Sequence, residues 1–263
     1  MQTKQSLQEI KTNGYYIDFG TVFNNAFEIY KKIALNAGLA ILLVTMLIVV
    51  LFGFLAVGII GIAVSTDSLS QFKVENMSMI WLAGYVFTLV IFMALVSPLN
   101  AVLIKMAQSA FKGENFSVGT IFHFYQTAHF KELVIAALVI ALFSTSFSIG
   151  LQWVGFPLLG MLMSFFVSTL TFLTIPLIIF GNLKAIEAIE GSVIVVSKQF
   201  FILLALLIVS TIFVLVGIFG FCIGIFFTLP FMYAMYYTIY SEILGDDNME
   251  MPVEIASEST LIE

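Results

Sequence analysis

Residues 133–183 read LVIAALVIALFSTSFSIGLQWVGFPLLGMLMSFFVSTLTFLTIPLIIFGNL. Glu132 precedes them, Lys184 follows them, and the 51 residues between hold no Asp, Glu, Lys or Arg. One helix of that length would reach about 77 Å, roughly twice the thickness of a bilayer. The stretch must therefore fold back. Its punctuation lies at GLQWVGFP, 150–157, where Gly150, Gly155 and Pro157 favour a turn and Trp153 suits a membrane interface. The reading is an antiparallel pair of membrane-spanning helices.

The remaining sequence agrees. Of 263 residues, 61% are hydrophobic and 10% are charged, against about 25% charged in a soluble domain. A second run without charge extends from Gln199 to Ser241, with a glycine-rich break at GIFGFCIG, 217–224. Two further apolar runs, 33–64 and 80–104, flank the polar loop STDSLSQFKVENMSM, 65–79. The expected fold is all-α and polytopic. Six spans are placed near 34–64, 80–104, 132–152, 157–182, 200–218 and 223–243. Residues 1–19 form a polar N-terminus, 20–244 a single membrane domain, and 245–263 an acidic tail expected to be disordered. The first apolar run is far longer than the roughly 7–15 residues of a signal-peptide core, so nothing reads as cleaved. Cys222 is the sole cysteine, which excludes an intrachain disulfide.

Lysine placement orients the chain. All ten cations are lysines. With six spans, Lys4, Lys11, Lys31, Lys32, Lys105, Lys112, Lys131, Lys184 and Lys198 fall on the side of the N-terminus, and Lys73 alone falls opposite. The positive-inside rule then places both termini in the cytoplasm, as in a multi-pass protein of a bacterial inner membrane.

A short half-polar phrase recurs. GTVFNNAFEIYKK, 20–32, and GTIFHFYQTAHFK, 119–131, both lead into an apolar run. In the first, Phe23, Phe27 and Tyr30 lie with Val22 and Ala26 on one helical stripe, and Asn24, Asn25 and Glu28 lie off it. In the second, Ile121, Phe122 and Tyr125 form the stripe while Phe124 and Phe130 stray from it. A diverged third copy is KAIEAIEGSVIVVSKQFF, 184–201. The even-numbered spans carry VSPL, TIPL and TLPF, placing Pro98, Pro176 and Pro230 at matching positions where a kink is expected. The expected plan is three repeats, about 20–104, 117–182 and 184–243, each a cytoplasmic amphipathic helix followed by a helical hairpin.

The third unit, PLIIFGNLKAIEAIEGSVIVVSKQFFILLALLI, 176–208, resembles a loose bacterial family of small polytopic inner-membrane proteins. That family includes the membrane domain found beside glycerophosphodiester phosphodiesterases. Its pattern of a proline-bearing span end, a polar turn, Ala-x-x-x-Ser and a basic residue falls on Pro176, Ala188, Ser192 and Lys198. FGTVFNNAFEIYKK, 19–32, resembles the family's first amphipathic segment. The soluble catalytic barrel of some relatives is missing from this chain, so the resemblance implies a membrane domain without phosphodiesterase chemistry.

Little else in the sequence carries chemistry. His123 and His129 are six apart, about 120° around a helix, which suits interfacial residues better than shared metal ligation. Glu187 and Glu190 can face the same way and bridge a cation, but a solvated helix face is the favoured reading. No ionisable residue falls mid-span, which argues against an ion-coupled pump. Asn100, Gln152 and Asn182 lie near span ends and are expected to hydrogen-bond between helices. Gly220 and Gly224 form a G-x-x-x-G that reads better as part of a turn than as a packing face. Nucleophile, phosphate-loop and metal motifs are lacking. No catalytic residue, cofactor or metal is expected. The expected partners are the bilayer and a cytoplasmic protein reached through the acidic tail, with no nucleic acid.

Two functions fit. One is a non-enzymatic scaffold that binds lipid or a partner through its amphipathic helices. The other is a small carrier of apolar or lipidic cargo, built from three pseudo-equivalent hairpins. A bundle closed by phenylalanine and leucine packing would favour the scaffold. A polar cavity at membrane depth would favour the carrier.

Overall fold

The computed structural model describes residues 2–60, 79–114, 123–220 and 223–245, with side chains described throughout except at 2, 51–60 and 79–82. Those residues are helical and contain no strand. The helices are α1 (Gln2–Asn13), α2 (Phe19–Ile60), α3 (Met79–Phe111), α4 (His129–Trp153), α5 (Pro157–Thr171), α6 (Thr174–Ile179), α7 (Ala185–Lys198), α8 (Phe200–Val216), α9 (Gly224–Thr228) and α10 (Pro230–Leu244). Five stretches are long and apolar enough to cross a membrane: Phe19–Val50, Ala83–Phe111, His129–Trp153, Pro157–Ile179 and Phe200–Phe219. The expected loop 65–79 (apart from Met79), Ile121 and Phe122, Cys222, and the acidic tail beyond Gly245 lie outside the described residues.

The hairpin read at 150–157 forms there. Helix α4 ends at Trp153, Gly155 turns at φ +92°, and Pro157 opens α5, where its missing N–H costs nothing. The two helices then pack tightly, because a Cβ at Gly160 would lie 2.7 Å from the Ser148 carbonyl oxygen. The break at 217–224 also forms. Added side chains would collide there, with a Cβ on Gly217 only 2.7 Å from the Gly224 carbonyl carbon. Glycine is what lets these two backbones cross.

The three prolines behave differently from one another. Pro176 lies just beyond the break at Phe172–Leu173 that separates α5 from α6. Pro230 begins α10 directly after the break at Leu229. Pro98 sits inside α3, which runs unbroken from Met79 to Phe111. The expectation of three matching kinks thus meets two breaks and one continuous helix. A proline removes one hydrogen bond, and a long helix packed on both sides can tolerate that loss without ending. The expected sixth span, 223–243, is divided into α9 and α10 at Leu229.

Helix α10 is the hub. Phe231, Ala234, Met235, Tyr237, Thr238 and Ile239 are fully or almost fully buried, and α10 packs against α2, α3 and α8. Against it lies the stripe of α2: Val22, Ala26, Ile29, Ile33 and Ala37, buried at three- and four-residue steps. Gly38 lets α2 approach α9, since a Cβ there would meet Phe227 Cδ1 at 2.6 Å and the Phe226 carbonyl oxygen at 3.0 Å. That carbonyl is the one Pro230 leaves without its helical donor.

The repeated phrase does not make three similar helices. The first copy is the opening of α2, continuous with the apolar run after it rather than a separate helix. Asp18 caps it, accepting from Thr21 N–H at 2.7 Å. The described part of the second copy is a single 3₁₀ turn, His123–Tyr125, followed by loop. Phe124, expected to stray from the stripe, is its buried residue and is flanked by the rings of His123 and His129. The third copy is a distinct helix, α7, joined to α8 through Gln199.

Candidate functional site

On the side of α3 away from α2 lies a cleft of about 630 Å³, walled by α3, α4, α5 and α6, with Tyr236 of α10 at its base. Ligand sites commonly enclose about 300–1,000 Å³. The lining on α3 runs from Tyr85 to Asn100, about 22 Å at helical rise. Its apolar part includes Leu89, Phe92, Val96, Ile140 and Val167. Its polar part is a ladder of hydroxyls and amides: Ser97 and Asn100 on α3, Ser144, Thr145, Ser148 and Gln152 on α4, Ser164, Ser168 and Thr171 on α5, and Thr174 on α6. No Asp, Glu, Lys, Arg or His is among the described lining residues.

The ladder follows from helical spacing. Ser144, Ser148 and Gln152 are four apart, and Ser164, Ser168 and Thr171 are four and three apart. Each set therefore lines one face of its helix. Part of the ladder is satisfied internally. Thr171 donates to the Val167 carbonyl at 2.8 Å, Ser97 to the Leu133 carbonyl of α4 at 3.3 Å, and Gln152 to Ser148 Oγ at 3.3 Å. Gln152 thus bonds within its own helix, one turn back, and not between helices as expected.

The break in front of Pro176 shapes the inner end of the cleft. Ser192 of α7, fully buried, donates to the Leu170 carbonyl at 2.8 Å and accepts from Leu173 N–H at 3.2 Å. One hydroxyl thereby satisfies two backbone groups that the interrupted helix leaves open. A threonine in a helix ordinarily bonds the carbonyl four residues back. For Thr174 that carbonyl is Leu170, which accepts from Ser192 instead. Thr174 Oγ1 is the one buried side-chain oxygen or nitrogen without a partner among the described residues, and Thr174 is only 1% exposed.

Asn100 spans two cavities. Its Oδ1 accepts from Tyr233 at 2.9 Å, the inter-helix bond expected of it. Beyond this contact lies a second, apolar cavity of about 200 Å³ between α2, α3 and α10. Val96 and Asn100 line both.

The other residues singled out in the sequence lie away from the cleft. Phe23, Phe27 and Tyr30 form an aromatic cluster with Phe213 of α8 and Phe231 of α10, the last two with ring centroids 4.5 Å apart. Tyr125 donates to the Leu95 carbonyl of α3, and burial raises the pKa of its phenol. Ala188 is buried beside Ser192, and Lys198 is exposed. Asn182 adopts φ 51° in the turn before α7, a conformation asparagine tolerates. Glu187 is held by Lys4, at 2.7 Å, and accepts from Lys184 N–H. The hydrogen bond from Lys4 holds its carboxyl below the usual carboxylate range. Glu187 and Glu190 share a groove with Lys4 and Lys11, so nearby lysines already offset their charge. No three of His, Cys, Asp or Glu cluster among the described residues.

Ionisable residues, the usual mark of function in a membrane, do not point to this cleft. The available signal was the spacing of Ser and Thr inside the long uncharged stretch. No family model, curated protein or solved structure matches this chain.

Proposed function

We propose that this protein is a non-enzymatic membrane carrier for an apolar or lipidic molecule, which occupies the cleft between α3, α4 and α5. The observation that carries this reading is a cavity about 22 Å long among candidate membrane spans, lined by hydroxyls and without charge. A leaflet's hydrocarbon layer is about 15 Å thick, so the cleft exceeds one leaflet. A helix-borne hydroxyl can bond its own backbone while an alkyl chain lies against it. It can also turn to a polar group that passes. The ladder therefore accommodates both ends of an amphiphile. The scaffold reading drew on apolar stripes free to meet lipid. Phe23, Phe27 and Tyr30 instead pack on Phe213 and Phe231, the closed packing that suits a scaffold, so the carrier reading rests on the cleft alone.

The proposal includes six spans, with α9 and α10 together as the sixth, three repeated units, and both termini in the cytoplasm of a bacterium. Single cysteines at Ser70 and Asp247 in a Cys222→Ser background should then label oppositely with an impermeant thiol reagent on intact cells. Labelling of Asp247→Cys from outside would sink the orientation. For the carrier itself, proteoliposomes with a fluorescent neutral lipid in the inner leaflet should show its movement to the outer leaflet by dithionite quenching. Ser168→Trp, which fills the cleft, should slow that movement to the rate of protein-free vesicles. Equal rates with and without the parent protein would refute the carrier reading.

A further inference from the structure

We infer that the cleft selects amphiphiles whose polar part is uncharged, such as a diacylglycerol, and that Thr174, Asn100 and Tyr236 bind that polar part at the inner end. This rests on the cleft's being the cargo site. Three observations carry it further.

First, the charge of the lining is one-sided in a useful way: it has none. A phosphate or carboxylate headgroup would need a cation to offset its desolvation, and an ammonium headgroup would need a carboxylate. Among the described residues, none lining the cleft supplies either. The lysine nearest along α3, Lys105, is not among the lining residues. Its ammonium is hydrogen-bonded to Gln108 and lies 5.8 Å from the centre of the Phe180 ring.

Second, hydrogen-bonding capacity is left over at one end. Thr174 Oγ1 is buried without a partner among the described residues, while the Leu170 carbonyl four residues back accepts from Ser192. Buried hydroxyls are normally bonded, and an unbonded one in a cavity wall marks where a ligand group is wanted. Asn100 uses its carbonyl oxygen for Tyr233, which leaves its amide N–H groups for the cleft. Tyr236 brings a phenol to the same end. Together these present donors suited to ester carbonyls and hydroxyls, which are the polar groups of a diacylglycerol.

Third, the rest of the cleft fits the chains. Leu89, Phe92, Val96 and Ile140 continue outward from that end, so a molecule with its polar part at Thr174 lays its tails along α3 and α4.

The test uses the full chain in phosphatidylcholine nanodiscs. A diacylglycerol carrying a photoactivatable group on one acyl chain is compared with the phosphatidate of identical chains, and the labelled peptides are mapped by mass spectrometry. The diacylglycerol should label within 85–100, 136–152 or 164–175, at least tenfold more than the phosphatidate. Thr174→Val should weaken diacylglycerol labelling about fivefold, the effect of one hydrogen bond, and Thr174→Ser should restore it. Equal labelling of the cleft by both lipids, or no effect of Thr174→Val, would overturn the selectivity and leave the cleft as a cargo site. No labelling of the cleft by either lipid would overturn both.

Discussion

Helix α3 divides the molecule into two unlike halves. On one side, α2, α8 and α10 close around Phe23, Phe27, Tyr30, Phe213 and Phe231, ring against ring. On the other, α3, α4, α5 and α6 wall a cleft of about 630 Å³. Both halves are written in apolar sequence. The difference lies in what points inward. Aromatic rings fill the first interior. Small hydroxyl side chains line the second and do not fill it. Packing energy is concentrated where the chain needs rigidity, and capacity is left where a ligand can enter.

Breaking either half should have unequal effects. Phe231→Ala removes a fully buried ring from the centre of the aromatic cluster and should cost about 3–5 kcal/mol. Phe143→Ala, on the lipid-facing side of α4, should cost far less, since Phe143 is 61% exposed. Unfolding in mild detergent checks the pair, and equal losses would erase the distinction between the halves. Next in size is Gly38→Ala, which must displace Phe227 or the Phe226 carbonyl and should cost about 1–3 kcal/mol. Gly84→Ala, beside the cleft lining, meets nothing within 4 Å and should leave the melting temperature within a degree or two of the parent or raise it.

Ser192→Ala tests the joint between the halves. It leaves the Leu170 carbonyl and Leu173 N–H without their shared partner, at a cost of about 1–3 kcal/mol. It also removes the hydroxyl that ties down the backbone leading to Thr174, so cleft labelling by a neutral lipid should fall together with stability. A fall in stability alone would separate Ser192 from the site. The smallest effect concerns α1. Glu187 has a lowered pKa because Lys4 bonds it, so its contribution to docking α1 is present above the ordinary carboxylate pKa of about 4.3 and is lost as pH falls below it. Protease sensitivity of residues 2–13 should rise at acid pH in the parent and be independent of pH in Glu187→Gln.

Much of this was legible in the sequence. The 51 uncharged residues required a hairpin, and Gly155 and Pro157 placed its turn because backbone conformation at those residues is local. The glycine turn at 217–224 was legible for the same reason. Ser192 was singled out by resemblance, and the structure assigns it two backbone bonds. The continuity of α2 was not legible, since no breaker separates Phe19 from Ile60 and a polar face does not end a helix. Nor was the burial of Phe124, which depends on neighbours distant in sequence. Pro98 looked equivalent to Pro176 and Pro230, but whether a proline breaks a helix depends on the packing around it. The cleft stayed hidden longest because serine and threonine are ordinary in membrane helices, and only their alignment across α3, α4 and α5 makes a site.

The most direct measurement is the mass of what the purified protein retains. Native mass spectrometry of the parent from mild detergent should give one lipid adduct per chain. Ser168→Phe, which occupies the cleft, should lose that adduct with its melting temperature unchanged, while Phe213→Leu, in the aromatic half, should keep it despite a lower melting temperature. An adduct that survives Ser168→Phe, or one lost with Phe213→Leu, would contradict the assignment of the cargo site to the hydroxyl-lined half.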